Sequence, residues 1–261
     1  MAPQQLIVDG VEVFIEGEGP QTVVMIHGWP DTHRLWDAQV AWLKGRYRCV
    51  RFTLPGFDTA QPARLASLVQ MVDLFKAIVD RVSPGQPVTL LLHDWGAMFG
   101  YEFAAQHPDR VARIIGVDIG DTNSGAYLKS LTPKAKLMIA AYQVWLAMAW
   151  KLGGRLGDRM TRFMVRTLRC RTDPALIGWQ MNYPYYLQWT GGYRAAARFV
   201  PQCPMLYVYG RRKPFLFHSP QWVQQLATLP GCAVREFKTG HWVMVEQPEA
   251  FNQCMGDWLA G

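Results

Sequence analysis

The chain alternates short apolar runs with amphipathic stretches, and this alternation constrains its fold more than any other feature. Thr22–Ile26 (TVVMI), Arg48–Phe52, Val88–Leu92 (VTLLL), Val111–Val117, Met205–Tyr209 and Ala233–Phe237 have the length and β-branched character of strands. Between them, Leu65–Val82 carries helical spacing, with Leu65, Leu68, Val69, Val72, Phe75, Val79 and Val82 on one face. Gly96–Ala105 predicts a second helix. Pro248–Leu259 predicts an amphipathic third, with proline suited to its first turn. Buried strands separated by helices form a mostly parallel sheet covered on both faces. The expected class is α/β.

The alternation breaks once. Between residues 122 and 198 there is no strand pattern, and the chain becomes helical, aromatic and basic. This predicts a core built from residues 1–121 and 199–261, with a helical cap, 122–198, inserted between two strands. Charge divides the same way. The 261 residues carry a net +7, yet residues 125–200 hold twelve Lys/Arg against two acids, Asp158 and Asp173. That region is +10 and the remainder −3. Within it runs Leu137–Trp150 (LMIAAYQVWLAMAW), bounded by Lys134, Lys136 and Lys151. Two readings stand open: a buried helix with a solvated basic face, or an interfacial patch that touches anionic lipid or admits a lipophilic substrate. A nucleic-acid partner is not expected, because bulk charge without a docking motif gives only non-specific attraction.

The five cysteines are scattered and show no metal-binding spacing, which predicts a reducing, cytoplasmic setting. The opening MAPQQLIVDGVEVFIEG lacks the basic start and apolar stretch of a secretory signal. No apolar run reaches the ~20 residues that span a bilayer. With no ligand cluster or phosphate loop, no metal or organic cofactor is expected. Aromatics make up 13% of the chain, with 11 Trp, which predicts a greasy pocket for a small lipophilic substrate. The oligomeric state stays open, with a homodimer among the options.

The chemistry concentrates where VTLLL runs into His93-Asp94-Trp95-Gly96. Strand, sharp turn and helix with nearby glycine make a nucleophile elbow, whose usual pattern is G-x-S-x-G. Here Asp94 takes the serine's place, and the five serines all lie elsewhere. A carboxylate with a reference pKa near ~3.9 is ionised at neutral pH and can attack carbon without a base. The resulting ester must then be cleaved by water, which needs a base and an oxyanion hole. His241, in Lys238–Trp242 after the last predicted strand, is the candidate base. The backbone N–H groups of Trp29 and Trp95 are the candidate oxyanion donors. An acid should orient the imidazole. The usual place, after Met205–Tyr209, reads Gly210-Arg211-Arg212-Lys213-Pro214 and holds no carboxylate. The end of Val111–Val117 offers Asp118, which directly follows the strand, with Asp121 in reserve.

These residues resemble the aspartate-nucleophile branch of the α/β-hydrolase superfamily: the epoxide hydrolases and the haloalkane and fluoroacetate-type dehalogenases. The resemblance spans most of the chain, through HGWP at 27–30, HDWG at 93–96, an acid at 118 and GHW at 240–242. It implies an α/β-hydrolase fold with an inserted helical cap. HG followed by an aromatic and proline looks like an epoxide hydrolase, whereas typical haloalkane dehalogenases carry Asn where Trp29 stands. Fluoroacetate-type enzymes carry Arg where Trp95 stands, although their acid sits where Asp118 does. Epoxide opening also implies cap tyrosines as proton donors. Tyr193-Arg194 resembles the family's Tyr-Arg pair, and Tyr142 falls near its first cap tyrosine. The implied pocket draws on His27, Trp29, Trp95, Tyr185, Tyr186 and Trp242. The expected reaction is hydrolysis of a lipophilic epoxide to a diol. The alternatives are dehalogenation on the same Asp94, His241 and Asp118, with Trp95 holding halide, and a binding protein that has lost turnover.

Overall fold

The structure is a computed structural model that describes residues 3–193 and 199–261. Arg194, named above as half of a Tyr-Arg pair, and the predicted cap boundary at 198 lie outside the described residues. The six predicted strands form as β3 (Thr22–Ile26), β4 (Arg48–Phe52), β5 (Val88–His93), β6 (Val111–Val117), β7 (Met205–Gly210) and β8 (Ala233–Phe237). An unpredicted hairpin precedes them, β1 (Gln4–Val8) and β2 (Val11–Glu16), closed at Asp9-Gly10 with both residues at positive φ. Its sequence signal was the weaker one of a half-buried strand, with Val11, Val13 and Ile15 inward. The eight strands pair in the order β1-β2-β4-β3-β5-β6-β7-β8, antiparallel at β1/β2 and β2/β4 and parallel elsewhere.

Side chains alternate across the sheet, so each strand feeds two cores. Val24, Ile26, Leu90 and Leu92 join Phe75, Phe99 and Phe103 on one face. Val23, Met25 and Leu91 join Trp36, Leu43 and Phe251 on the other. The helices that cover them are α1 (Asp37–Leu43), α2 (Leu68–Val82), α3 (Trp95–Gln106), α4 (Gly125–Ser130), α5 (Pro133–Leu152), α6 (Gly154–Thr167), α7 (Tyr183–Thr190), α8 (Pro220–Leu226), α9 (Val243–Glu246) and α10 (Pro248–Ala260). Burying each large apolar side chain contributes about 1.5–3 kcal/mol, so the two layers jointly hold the sheet.

Helix α2 starts three residues later than its apolar spacing predicted. Ser67 caps it reciprocally with Gln70: the Gln70 N–H donates to Ser67 Oγ (3.2 Å) and the Ser67 N–H to Gln70 Oε1 (2.8 Å). Leu65 and Val69 therefore fall outside the buried face, with Val69 66% exposed. From residue 118 to 204 the described residues contain helices and no strand. Leu146, Met164, Ile177, Met181 and Tyr183 of this insertion join the same core as α2 and α3. The reading of Leu137–Trp150 as a buried helix is corrected. Only Leu146, Ala147 and Ala149 of that run are buried, while Leu137 is 71% exposed. Among the described residues no helix is long and apolar enough to cross a membrane.

The chain leaves β3 toward β4 on one side and places β5 on the other. The carboxyl ends of β3 and β5 thus flank the crevice where strand order reverses, the usual ligand position in such sheets.

Candidate active site

Five loops at the carboxyl edge of the parallel strands supply the site. Asp94 sits between β5 and α3 at φ 53, ψ −126. A non-glycine residue at positive φ costs about 1–3 kcal/mol and persists only where surroundings impose it. Two glycines permit the approach. A Cβ on Gly96 would overlap the carbonyls of Ile26 and His27, and one on Gly28 would overlap Asp94 Oδ1 and the Trp95 nitrogen. The Asp94 carboxylate makes no N-cap bond on α3 of the ordinary kind. Instead Oδ1 accepts the Trp29 backbone N–H at 2.6 Å. Of the two N–H groups expected as oxyanion donors, the one on Trp29 meets this side chain, and the one on Trp95 follows it directly in the chain.

His241, between β8 and α9, places Nε2 3.4 Å from Asp94 Oδ2 and donates Nδ1–H to Asp118 Oδ2. Asp118 follows β6 at φ 68 and is fully buried. Its other oxygen accepts the Gly210 N–H (3.0 Å) and the Lys213 ammonium. Asp121 is directed elsewhere, accepting from the Ser219 N–H (2.7 Å), the Ser219 hydroxyl (2.7 Å) and Ser124. Burial raises the carboxyl pKa of Asp118, but Lys213 and His241 outweigh it and hold the group below the usual range. Asp94 is likewise held low against its burial, chiefly by His241. Burial opposes the charge on His241, yet Asp118 and Asp94 outweigh it and lift the imidazole to about 9. The resting site is thus an imidazolium between two carboxylates, with an ammonium behind the second.

An aromatic cluster packs on Trp29 and Trp95, the neighbours of Asp94. Tyr185 packs edge-on against Trp95 (5.2 Å), Trp29 (5.9 Å) and Tyr142 (6.0 Å). Burial pushes the phenols of Tyr185 and Tyr142 upward, and the charge of Asp94 pushes both further. Both stay protonated. Tyr193 touches Trp95 with its ring (5.8 Å), but its hydroxyl donates to the Ala66 carbonyl at 2.9 Å. Its proton is engaged there.

Two members of the expected pocket are corrected. His27 has no exposed surface: Nδ1–H donates to the Gly28 carbonyl (3.0 Å) and Nε2 accepts the Leu54 N–H (3.0 Å). Burial lowers its pKa to about 3, and the neutral ring braces the turn. Trp242 belongs to the core on the opposite face of the sheet, with its indole N–H on Asp31 Oδ2 (2.9 Å). Tyr186 packs its ring on Trp150 (6.4 Å).

Four other residues join the site without having been singled out for it. Lys213 occupies the loop where an acid was sought, and supplies the charge that steadies Asp118. His93 lies under His241, rings 4.3 Å apart, and donates Nε2–H to its carbonyl at 3.2 Å. Burial keeps it neutral, with a pKa of about 3. Asp31 ties Trp242 to Thr172 of the insertion, and burial, opposed by those bonds, raises it to about 6. Asn182 accepts the Trp29 indole N–H (2.8 Å) and donates to Thr161 on α6 (2.7 Å), linking the turn after β3 to the insertion. Asp31 was legible as the residue after HGWP. The other three needed the tertiary fold.

A mostly parallel sheet with Asp94 at the elbow and His241 and Asp118 beside it at the carboxyl edge has the α/β-hydrolase fold. The chain belongs to the alpha/beta hydrolase family, whose model matches residues 23–253. It is 37% identical over 117 residues to the Mycobacterium tuberculosis protein named "Probable oxidoreductase EphD", covering 42% of this chain and 20% of that protein. It is 30% identical over 156 residues to the cis-3-alkyl-4-alkyloxetan-2-one decarboxylase of Xanthomonas campestris, covering 55% of this chain and 49% of that one. These matches thus span half or less of each relative. Among solved structures, an epoxide hydrolase from Bacillus megaterium superposes with a TM-score of 0.74 at 19% identity, covering 99% of this chain and 100% of that one.

Proposed function

We propose that the chain hydrolyses a lipophilic epoxide to a vicinal diol through an ester on Asp94. One observation carries the reading: a carboxylate at the elbow whose Oδ1 accepts the Trp29 backbone N–H, beside a cluster in which Tyr185 packs on Trp95, Trp29 and Tyr142. With Oδ1 held, Asp94 Oδ2 attacks a ring carbon. The carbon–oxygen bond breaks, and the departing oxygen takes a proton from Tyr185 or Tyr142. Ester formation removes the Asp94 charge, and with it part of what keeps His241 protonated. The imidazolium proton returns to the tyrosinate through solvent, leaving a neutral base. His241 then takes a proton from water as it attacks the carboxyl carbon of Asp94. The N–H groups of Trp29 and Trp95 stabilise the oxyanion, and its collapse releases the diol. Asp118, backed by Lys213, stabilises the imidazolium. The helical insertion acts as the cap that carries the phenols.

The phenols favour an epoxide over a halide, because an alkoxide needs a proton and a halide does not. A single turnover in heavy-oxygen water tests the reading. Diol with label in the peptide carrying Asp94 supports it. Halide from a haloalkane with no diol favours a dehalogenase. Carbon dioxide from a cis-3-alkyl-4-alkyloxetan-2-one would align the chain with its Xanthomonas relative. Tight ligand binding without product would mark a protein that has lost turnover.

A further inference from the structure

We propose that the outer face of the α5–α6 hairpin docks on an anionic lipid surface. On α5, Lys134, Leu137, Ala141, Val144, Met148 and Lys151 follow helical spacing on one stripe, and all are exposed. On α6, Leu156, Met160 and Phe163 form a second stripe, with Leu156 53% and Phe163 50% exposed. Arg155, Arg159, Arg162 and Arg166 run beside it at the same spacing, all exposed. Trp145 joins the two stripes: its ring lies 5.5 Å from Phe163 and its indole N–H donates to the Met160 carbonyl (3.0 Å). The hairpin therefore presents one continuous apolar strip bordered by cations.

Charge decides what covers it. The two helices carry seven Lys/Arg and one acid, Asp158, whose carboxylate accepts the Trp179 N–H at 3.0 Å. None of the seven pairs with a carboxylate among the described residues. A second copy docked by a two-fold axis would bring like charges together. A nucleic acid would engage the arginines and leave Leu137, Trp145, Leu156 and Phe163 in water. A layer of anionic headgroups over hydrocarbon satisfies both features, with guanidinium on phosphate and the apolar strip below it. The inference does not depend on which electrophile Asp94 attacks.

Co-sedimentation of the full chain with vesicles tests it, comparing phosphatidylglycerol mixed into phosphatidylcholine with phosphatidylcholine alone. Binding to the mixed vesicles, weakening as salt screens the charges, is expected. Arg155→Gln, Arg159→Gln and Arg166→Gln should each weaken partition about five-fold. Leu137→Ser with Leu156→Ser should weaken it without altering charge. These positions are exposed, so melting temperatures should stay at wild type and separate lost docking from lost fold. Four results would overturn the proposal: no sedimentation with either vesicle, equal binding to both, a dimer in light scattering that the leucine variants abolish without vesicle binding, or tighter binding to duplex DNA than to the mixed vesicles.

Discussion

Asp118 gives one carboxylate oxygen to His241 and the other to Lys213. The ammonium is 8% exposed and the carboxylate not at all, so each depends on the other for its charge. Lys213→Met should cost about 3–5 kcal/mol, the usual cost of breaking a buried pair. It should also leave Asp118 unopposed beside His241, moving the acid limb of the pH–rate profile upward. Urea melts and pH profiles check both effects. Lys213→Arg should restore much of each, and a Lys213→Met variant indistinguishable from wild type would contradict the assignment.

Gly28 is the second sensitive point. In Gly28→Ala the new methyl would meet Asp94 Oδ1 and the Trp95 nitrogen, both inside the oxyanion turn. Displacing one oxyanion donor costs about 100-fold or more in turnover. Steady-state kinetics on an epoxide should show the loss mainly in kcat, and circular dichroism should show the fold retained.

The tyrosines separate by the partners of their hydroxyls. Tyr142→Phe and Tyr185→Phe should each slow epoxide opening by about 100-fold or more, the scale of general acid catalysis. Tyr193→Phe removes a bond to the Ala66 carbonyl and should change kcat little. An equal or larger loss at Tyr193 would restore it as the donor.

His241 supplies a pH prediction. Its proton is held to about 9 in the folded chain against an ordinary value of 6.5. The raised value means that its contribution to stability is fully present below pH 6.5 and is lost as pH rises through about 9. Asp94 and Asp118, both held low, act in the opposite window: their contribution is present above the ordinary carboxyl value of 3.8 and is lost in acid. Denaturation midpoints measured across the alkaline range should fall for the wild type and fall less for His241→Gln. Under turnover that variant should retain the ester, visible as added intact mass.

Much of this molecule was legible in its sequence, because strand and helix periods are local properties. Val88–Leu92 could only be a buried strand, and the motif HDWG at its end put a carboxylate in the elbow. Asp118 and His241 were legible for the same reason, since both directly follow strands. What local pattern could not supply was partnership. Tyr193 stands out in sequence through the arginine that follows it, yet packing directs its hydroxyl to the Ala66 carbonyl. Lys213 marked a missing acid, until folding brought it to Asp118 from 95 residues away. Trp242 looked like a pocket wall and lies in the opposite core, because the sheet's two faces are separated by the strand alternation of neighbours distant in sequence. The apolar run in α5 was equally apt for burial or exposure. Its stripe stays uncovered because the folded chain packs only Leu146, Ala147 and Ala149 of it inward.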